Sequence, residues 1–140
     1  MNLNTQSNVK TPFRLIISGN SGQVNTQQFL RELELYLQRF NVQRPIHILT
    51  GMLTATDRWA SELAATRRWQ CFKMTPFLAS STLDLYKRNE RMVKLGDGLL
   101  LFLDKPDSLH KHLLDAAHFQ QLHIRSINTK AERLDSALHA

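Results

Sequence analysis

Short apolar runs alternate with stretches of helical spacing along the whole chain. Phe13, Leu15, Ile16 and Ile17 make a first run that ends in Ser18-Gly19-Asn20-Ser21-Gly22, five residues of turn chemistry. Phe29, Leu30, Leu33, Leu37 and Phe40 then recur at three- and four-residue steps, with Arg31, Glu32, Glu34 and Gln38 between them on the polar side. Asn25 or Thr26 can cap this helix, and Arg44-Pro45 bounds it. Ile46 to Thr50 predicts a second strand that turns at Gly51 and restarts as a helix from Asp57 to about Trp69. Cys71 to Phe77 predicts a third strand. Leu83 to Leu95 predicts a helix capped from Ser80, Ser81 or Thr82 and closed by Gly96 in the C′ position. Leu99 to Leu103 is an uninterrupted apolar strand. Asp107 or Ser108 caps a helix carrying Leu109, Leu113, Leu114, Ala117 and Leu122, and His123 to Ile127 predicts the last strand.

Strand and helix alternate with short links throughout, which implies right-handed crossovers and parallel strands covered by helices on both faces. The predicted fold is α/β, a single-domain Rossmann-like three-layer sandwich with a largely parallel sheet. Residues 1–12 read as a flexible polar tail, 13–129 as the domain and 130–140 as a C-terminal tail with some helical character. In open sheets of this kind ligands collect beyond the carboxyl ends of the strands. The loops on that edge are Gly19–Gly22, Gly51–Thr56, Phe77–Ser81 and Asp104–Asp107.

A chain of 140 residues, 42% hydrophobic, suits one domain. No run approaches the roughly 20 apolar residues of a membrane helix, and the start lacks a signal-peptide core, so no membrane association and a cytoplasmic location are expected. Cys71 is the one cysteine; it reads as a buried strand thiol. The net charge of +6 suits an anionic partner: a nucleotide-derived small molecule, nucleic acid or an acidic protein. The basic residues are dispersed and favour none of the three.

Three stretches could carry chemistry. In the first loop, Gly19 and Gly22 allow close backbone approach, and Asn20 and Ser21 offer hydrogen bonds. The loop matches neither the dinucleotide fingerprint nor the phosphate-binding P-loop, since Gln23 stands where the latter needs Lys. After Gly51, Thr54, Thr56 and Asp57 could meet ribose hydroxyls or phosphate; the alternative is that Thr56 or Asp57 caps the helix, with Arg58 and Glu62 solvated. Arg88 and Arg91 share a helix face beside Asn89 and could clamp a phosphate, or form a solvated basic stripe with Asp84 and Glu90. The histidines lack metal-ligand spacing: His110 and His112 face different ways. No metal site, cofactor or nucleophile elbow is expected.

FRLIISGNSG, IHILTGMLTATDRWASELA and YKRNERMVKLGDGLLLFLD resemble the YspA-like branch of the SLOG superfamily, which also holds the Smf/DprA proteins and the lysine-decarboxylase-like phosphoribohydrolases. The likeness spans about Phe13 to Thr129. Its most specific parts are Gly51 with Asp57, and Arg88-Asn89 with Met92. The resemblance implies a fold that binds nucleotide-related ligands, with Gly19, Asn20, Ser21, Gly51, Thr54, Asp57, Arg88, Asn89 and Arg91 around the pocket. Relatives typically read Gly-Gly-Ala-Arg-Gly-Ala-Asp where this chain has Gly51-Met52-Leu53-Thr54-Ala55-Thr56-Asp57. The Pro-Gly-Gly-x-Gly-Thr loop and following Glu of the phosphoribohydrolases are replaced by Asp104 to His112. Arg88 matches a catalytic Arg of those enzymes, but without its carboxylate an oxocarbenium-like transition state lacks stabilisation, so no catalytic residue is assigned.

The expected function is therefore a non-catalytic module that binds or senses a nucleotide-related ligand. The alternative is a DNA- or protein-interaction module that kept the fold and lost the pocket. A residual phosphoribohydrolase using Arg88 and Asp57 ranks third. SLOG relatives are often dimers, and an apolar face around Trp59 and Trp69 could serve a homodimer; the favoured alternative is that both are partly buried packing residues.

Overall fold

The computed structural model describes residues 11–78 and 81–130. It is α/β, with one five-stranded sheet in which every strand is parallel to its neighbours, flanked by four helices. In chain order the elements are β1 (Phe13–Gly19), α1 (Thr26–Arg39), β2 (Ile46–Thr50), α2 (Ala55–Arg67), β3 (Gln70–Lys73), α3 (Thr82–Leu95), β4 (Gly98–Leu103), α4 (Ser108–Phe119) and β5 (His123–Asn128). The sheet order is β3-β2-β1-β4-β5. The chain steps outward from β1 to β3, then returns to the other side of β1, so the switch of direction falls between β1 and β4. This is the doubly wound, Rossmann-like arrangement expected from the alternation. None of the described helices is long and apolar enough to cross a membrane.

Two apolar layers hold the helices. Phe13, Leu15 and Ile17 of β1 face Phe29, Leu33 and Tyr36 of α1, together with Trp59, Ala60 and Leu63 of α2. The intervening Ile16 points the other way, to Met92 and Val93 of α3 and Leu113 and Ala117 of α4. The continuous apolar run of β1 thus serves both faces, as a central parallel strand must. Trp59 is buried edge-on against Phe29 and Phe102, and the Arg67 guanidinium lies 5.2 Å over the Trp69 ring. Trp59 therefore belongs to the core and offers no exposed apolar face to a second copy.

Several boundaries differ from the sequence reading. β3 ends at Lys73, because its partner β2 stops at Thr50 and Pro76 has no N–H to donate; only Met74 N–H adds a further bond, to Thr50 O at 2.7 Å. As an edge strand it leaves Cys71 half-buried instead of buried. α1 ends at Arg39, before Arg44-Pro45 as expected, and Asn41 takes a left-handed conformation. α2 starts at Ala55, ahead of Asp57, and ends at Arg67 with Arg68 left-handed; Gln121 is likewise left-handed after α4. Gly96 does close α3, but with extended backbone; it is needed because a Cβ there would come within 2.9 Å of Ile16. Glu32, placed on the polar side by its spacing, is buried and accepts two hydrogen bonds from Arg125 of β5, at 2.9 and 3.0 Å. The C-terminal tail lies outside the described residues.

Candidate functional site

The carboxyl ends of β1 and β4 flank the switch point, where an open α/β sheet forms its crevice. Here the two loops are stitched to one another. Asn20 donates from Nδ2 to Lys105 O at 2.7 Å and to Asp107 Oδ2 at 2.8 Å, and its Oδ1 accepts from Asp104 N–H at 2.9 Å. Gly22 N–H donates to Asp104 Oδ2, and Thr129 donates to Asp104 Oδ1. Ser21 is buried and donates to Gln23 O. Gly19 lies in β1 itself, and a Cβ there would sit 2.0 Å from Phe102 O, so its missing side chain serves the contact with β4. The first loop thus spends its polar groups on holding the β4–α4 loop.

The second cluster lies beyond β2. Thr54, not Thr56 or Asp57, is the N-cap of α2: its Oγ1 accepts from Asp57 N–H at 3.1 Å, and Asp57 Oδ2 accepts in return from Thr54 N–H and, at 2.9 Å, from Leu53 N–H. This is a capping box with Asp in the reciprocal place. Arg58 and Glu62 stand in solvent. The other oxygen, Asp57 Oδ1, is buried without a hydrogen-bond partner, as is Thr56 Oγ1. Buried polar atoms are almost always satisfied, so two orphans in one helix turn mark an unusual place.

Arg88 completes it. Its side chain does not join a solvated stripe: Arg88 is 3% exposed and Asn89 is 1% exposed. The guanidinium lies directly on the Gly51 turn, where a Cβ would meet Nη1 at 1.9 Å. Nε donates to Asn89 Oδ1 at 3.2 Å and Nη1 to Met74 O at 3.5 Å, a marginal bond. Asn89 Nδ2 donates to Leu109 O and lies 3.3 Å from His112 Nδ1, which fastens α3 to the start of α4. Arg91, three residues on, is exposed and reaches Thr75 O from Nη2. The two guanidiniums therefore bracket the segment after β3, one inside and one outside.

The electrostatics follow from burial. Desolvation pushes the Asp57 carboxyl above its ordinary value; the hydrogen bonds from Leu53 and Thr54 and the charges of Arg88 and His110 only partly oppose it. Burial lowers Arg88, Asp57 raises it and Arg91 lowers it again. Asp57 and Arg88 feel each other without forming an ion pair. Desolvation is also the largest influence on Asp107, but the bonds from His110 N–H, the Asn20 amide and the His110 ring together outweigh it and hold its carboxyl below the usual range. His110, buried, keeps its ring nitrogen 2.8 Å from Asp107 Oδ1.

The structure therefore gathers Gly51, Thr54, Asp57, Arg88 and Asn89 into one polar centre, with Arg91 at its outer side. Gly19, Asn20 and Ser21 belong to a separate junction at the switch point, joined to the centre through Asp107 and His110. Sequence reasoning passed over His110 and His112 as site neighbours. The signal was present in the three-residue step from Asp107 to His110, which lets a cap residue reach a side chain in the first turn. Among the described residues no group of three or more His, Cys, Asp or Glu is placed to hold a metal ion. Comparison with protein families, with curated proteins and with solved structures returns no significant match for this chain.

Proposed function

We propose that this protein is a non-catalytic module that binds a nucleotide-related ligand at the centre formed by Gly51, Asp57, Arg88 and Asn89. The observation that carries the reading is a buried guanidinium laid on a glycine turn beside a buried carboxylate with one unpartnered oxygen. Arg88 supplies the charge for a phosphate and Asp57 Oδ1 an acceptor for a hydroxyl, the pair of contacts that a sugar phosphate needs. Phosphate does not sit at the start of α2 itself, since Asp57 already complements that dipole end. The resemblance to YspA-like proteins gains support from Met52. It holds φ at 58°, a conformation that favours glycine, at the position where those relatives carry the second glycine of the turn.

Thermal-shift measurements with adenosine monophosphate, ADP-ribose and a cyclic dinucleotide test the proposal. A ligand at about 100 times its Kd adds roughly 2.7 kcal/mol of stability, and Arg88→Met should abolish that gain. No shift with any of the three sinks it. A second reading, a DNA-interaction module without a working pocket, draws on the internal use of Asn20 and Thr54 and on the net charge of +6. It requires DNA binding that weakens steeply with salt.

A further inference from the structure

The second face of the sheet is only partly covered. α3 and α4 pack over Ile16, Leu49, Leu99 and Leu101, which belong to β1, β2 and β4. Among the described residues no helix covers the β3 side of that face, and Phe72 is 37% exposed there. Parallel sheets are ordinarily buried on both faces, so bare apolar surface here needs an explanation.

The register defines what lies on this surface. Arg14 of β1 pairs with His47 of β2, and Leu49 pairs with Phe72 of β3. Residues alternate between faces along each strand, so Arg14, His47, Leu49 and Phe72 share the face of Ile16, while Cys71 turns towards Ser61 of α2. A cavity of about 470 Å³ opens on this face, lined by Arg14, Leu49, Phe72, Lys73, Met74 and Leu95, with Cys71 of the edge strand also at its wall. That volume is in the range of small-molecule sites, which are mostly apolar with a few placed polar groups.

One cationic group at this cavity is unspent. The backbone of Arg14 is fully engaged with Asp97, at 2.9 and 2.8 Å, but its guanidinium has no ion pair or hydrogen bond among the described residues. His47, beside it in register and with its ring 5.6 Å from that of Phe72, does not line the cavity, and its Nδ1 is buried. The cavity therefore has a cationic group at Arg14, an apolar floor, and a second cation at Lys73 on the β3 edge. A second copy stacked on this face would bring the cationic Arg14 and Lys73 of both chains together, which disfavours self-association through it.

We infer that this cavity is a second binding site, separate from the centre at Gly51, for a monoanionic amphiphile: a carboxylate held by Arg14, with its apolar body over Leu49, Phe72, Met74 and Leu95. Decanoate is the probe, titrated into the full chain labelled with ¹⁵N. Saturable shifts at Arg14, Leu49 and Phe72 are expected, with decanol and decyltrimethylammonium binding at least about tenfold more weakly, in keeping with loss of a charged hydrogen bond. Arg14→Met should weaken decanoate to a similar degree while Arg14→Lys retains it, both variants melting as the parent does. The assignment is overturned if decanoate gives no saturable shift, if the shifts map elsewhere, or if decanol binds equally well. It is likewise overturned by undiminished binding in Arg14→Met, or by sedimentation showing a dimer that excludes decanoate from this face.

Discussion

Gly51→Ala isolates the contact on which the candidate centre depends. No described glycine has a positive φ, so alanine at this position meets no backbone strain. The three nearest atoms to the added Cβ all belong to Arg88: Nη1 at 1.9 Å, Cζ at 2.8 Å and Nη2 at 3.4 Å. Nη1 must retreat by about 1.5 Å to recover ordinary contact, the difference between the 3.4 Å at which such contact begins and the 1.9 Å observed. That movement breaks the 3.5 Å bond to Met74 O and strains the 3.2 Å bond to Asn89 Oδ1. Hydrogen bonds of a charged group contribute about 1.5–3 kcal/mol each, and renewed hydration of the displaced guanidinium offsets part of the loss, so we expect a net cost of about 1–2 kcal/mol. Urea denaturation of the parent, Gly51→Ala, Arg88→Ala and the double variant measures it as a cycle. In the Arg88→Ala background the cost of Gly51→Ala should fall to near zero, which gives a coupling energy of the same size as the single effect. If Gly51→Ala costs as much without Arg88 as with it, the glycine is not there to seat the guanidinium, and the polar centre loses its geometric basis.

Asp57→Asn keeps the acceptor of the capping box and removes the charge. Since burial raises the Asp57 carboxyl above its unfolded value of 3.8, the stability it contributes is fullest below that pH and is lost as pH rises through the folded value. The variant should therefore gain on the parent between pH 3 and pH 7 in thermal melts, and a gain independent of pH would refute this account. Asn20→Ala removes three hydrogen bonds between the loops after β1 and β4, with an expected loss of about 1–3 kcal/mol by urea denaturation; a loss below about 0.5 kcal/mol would show the loops held by other means. Arg125→Met leaves Glu32 buried without its partner and should cost about 3 kcal/mol, more than Glu32→Met with Arg125→Met combined, in the same assay. Met52→Gly relieves a left-handed non-glycine residue at some cost in unfolded-chain entropy and should raise stability by up to about 1 kcal/mol; a clear loss would mean that the Met52 side chain packs productively.

The amino-acid sequence by itself determined the alternation of strands and helices, the parallel sheet and the two- or three-residue windows within which the caps Asn25, Ser81 and Asp107 fall, because each of these rests on local periodicity or on one side chain reaching its own helix turn. It also brought out Gly51, Asp57, Arg88 and Asn89, on chemistry and resemblance. Only the tertiary structure decided what those residues do in the fold. An arginine and an asparagine on a helix read as solvated until the helix is docked, and docking against the Gly51 turn is what buries both. The same holds for Glu32, whose partner Arg125 is 93 residues away. Strand ends are another instance, since β3 can run only as far as β2 accompanies it. Asn20 has the composition of a ligand contact and the position of a bridge between loops 84 residues apart. Periodicity describes which face of an element is apolar, but the partner of a polar side chain is set by where distant elements meet.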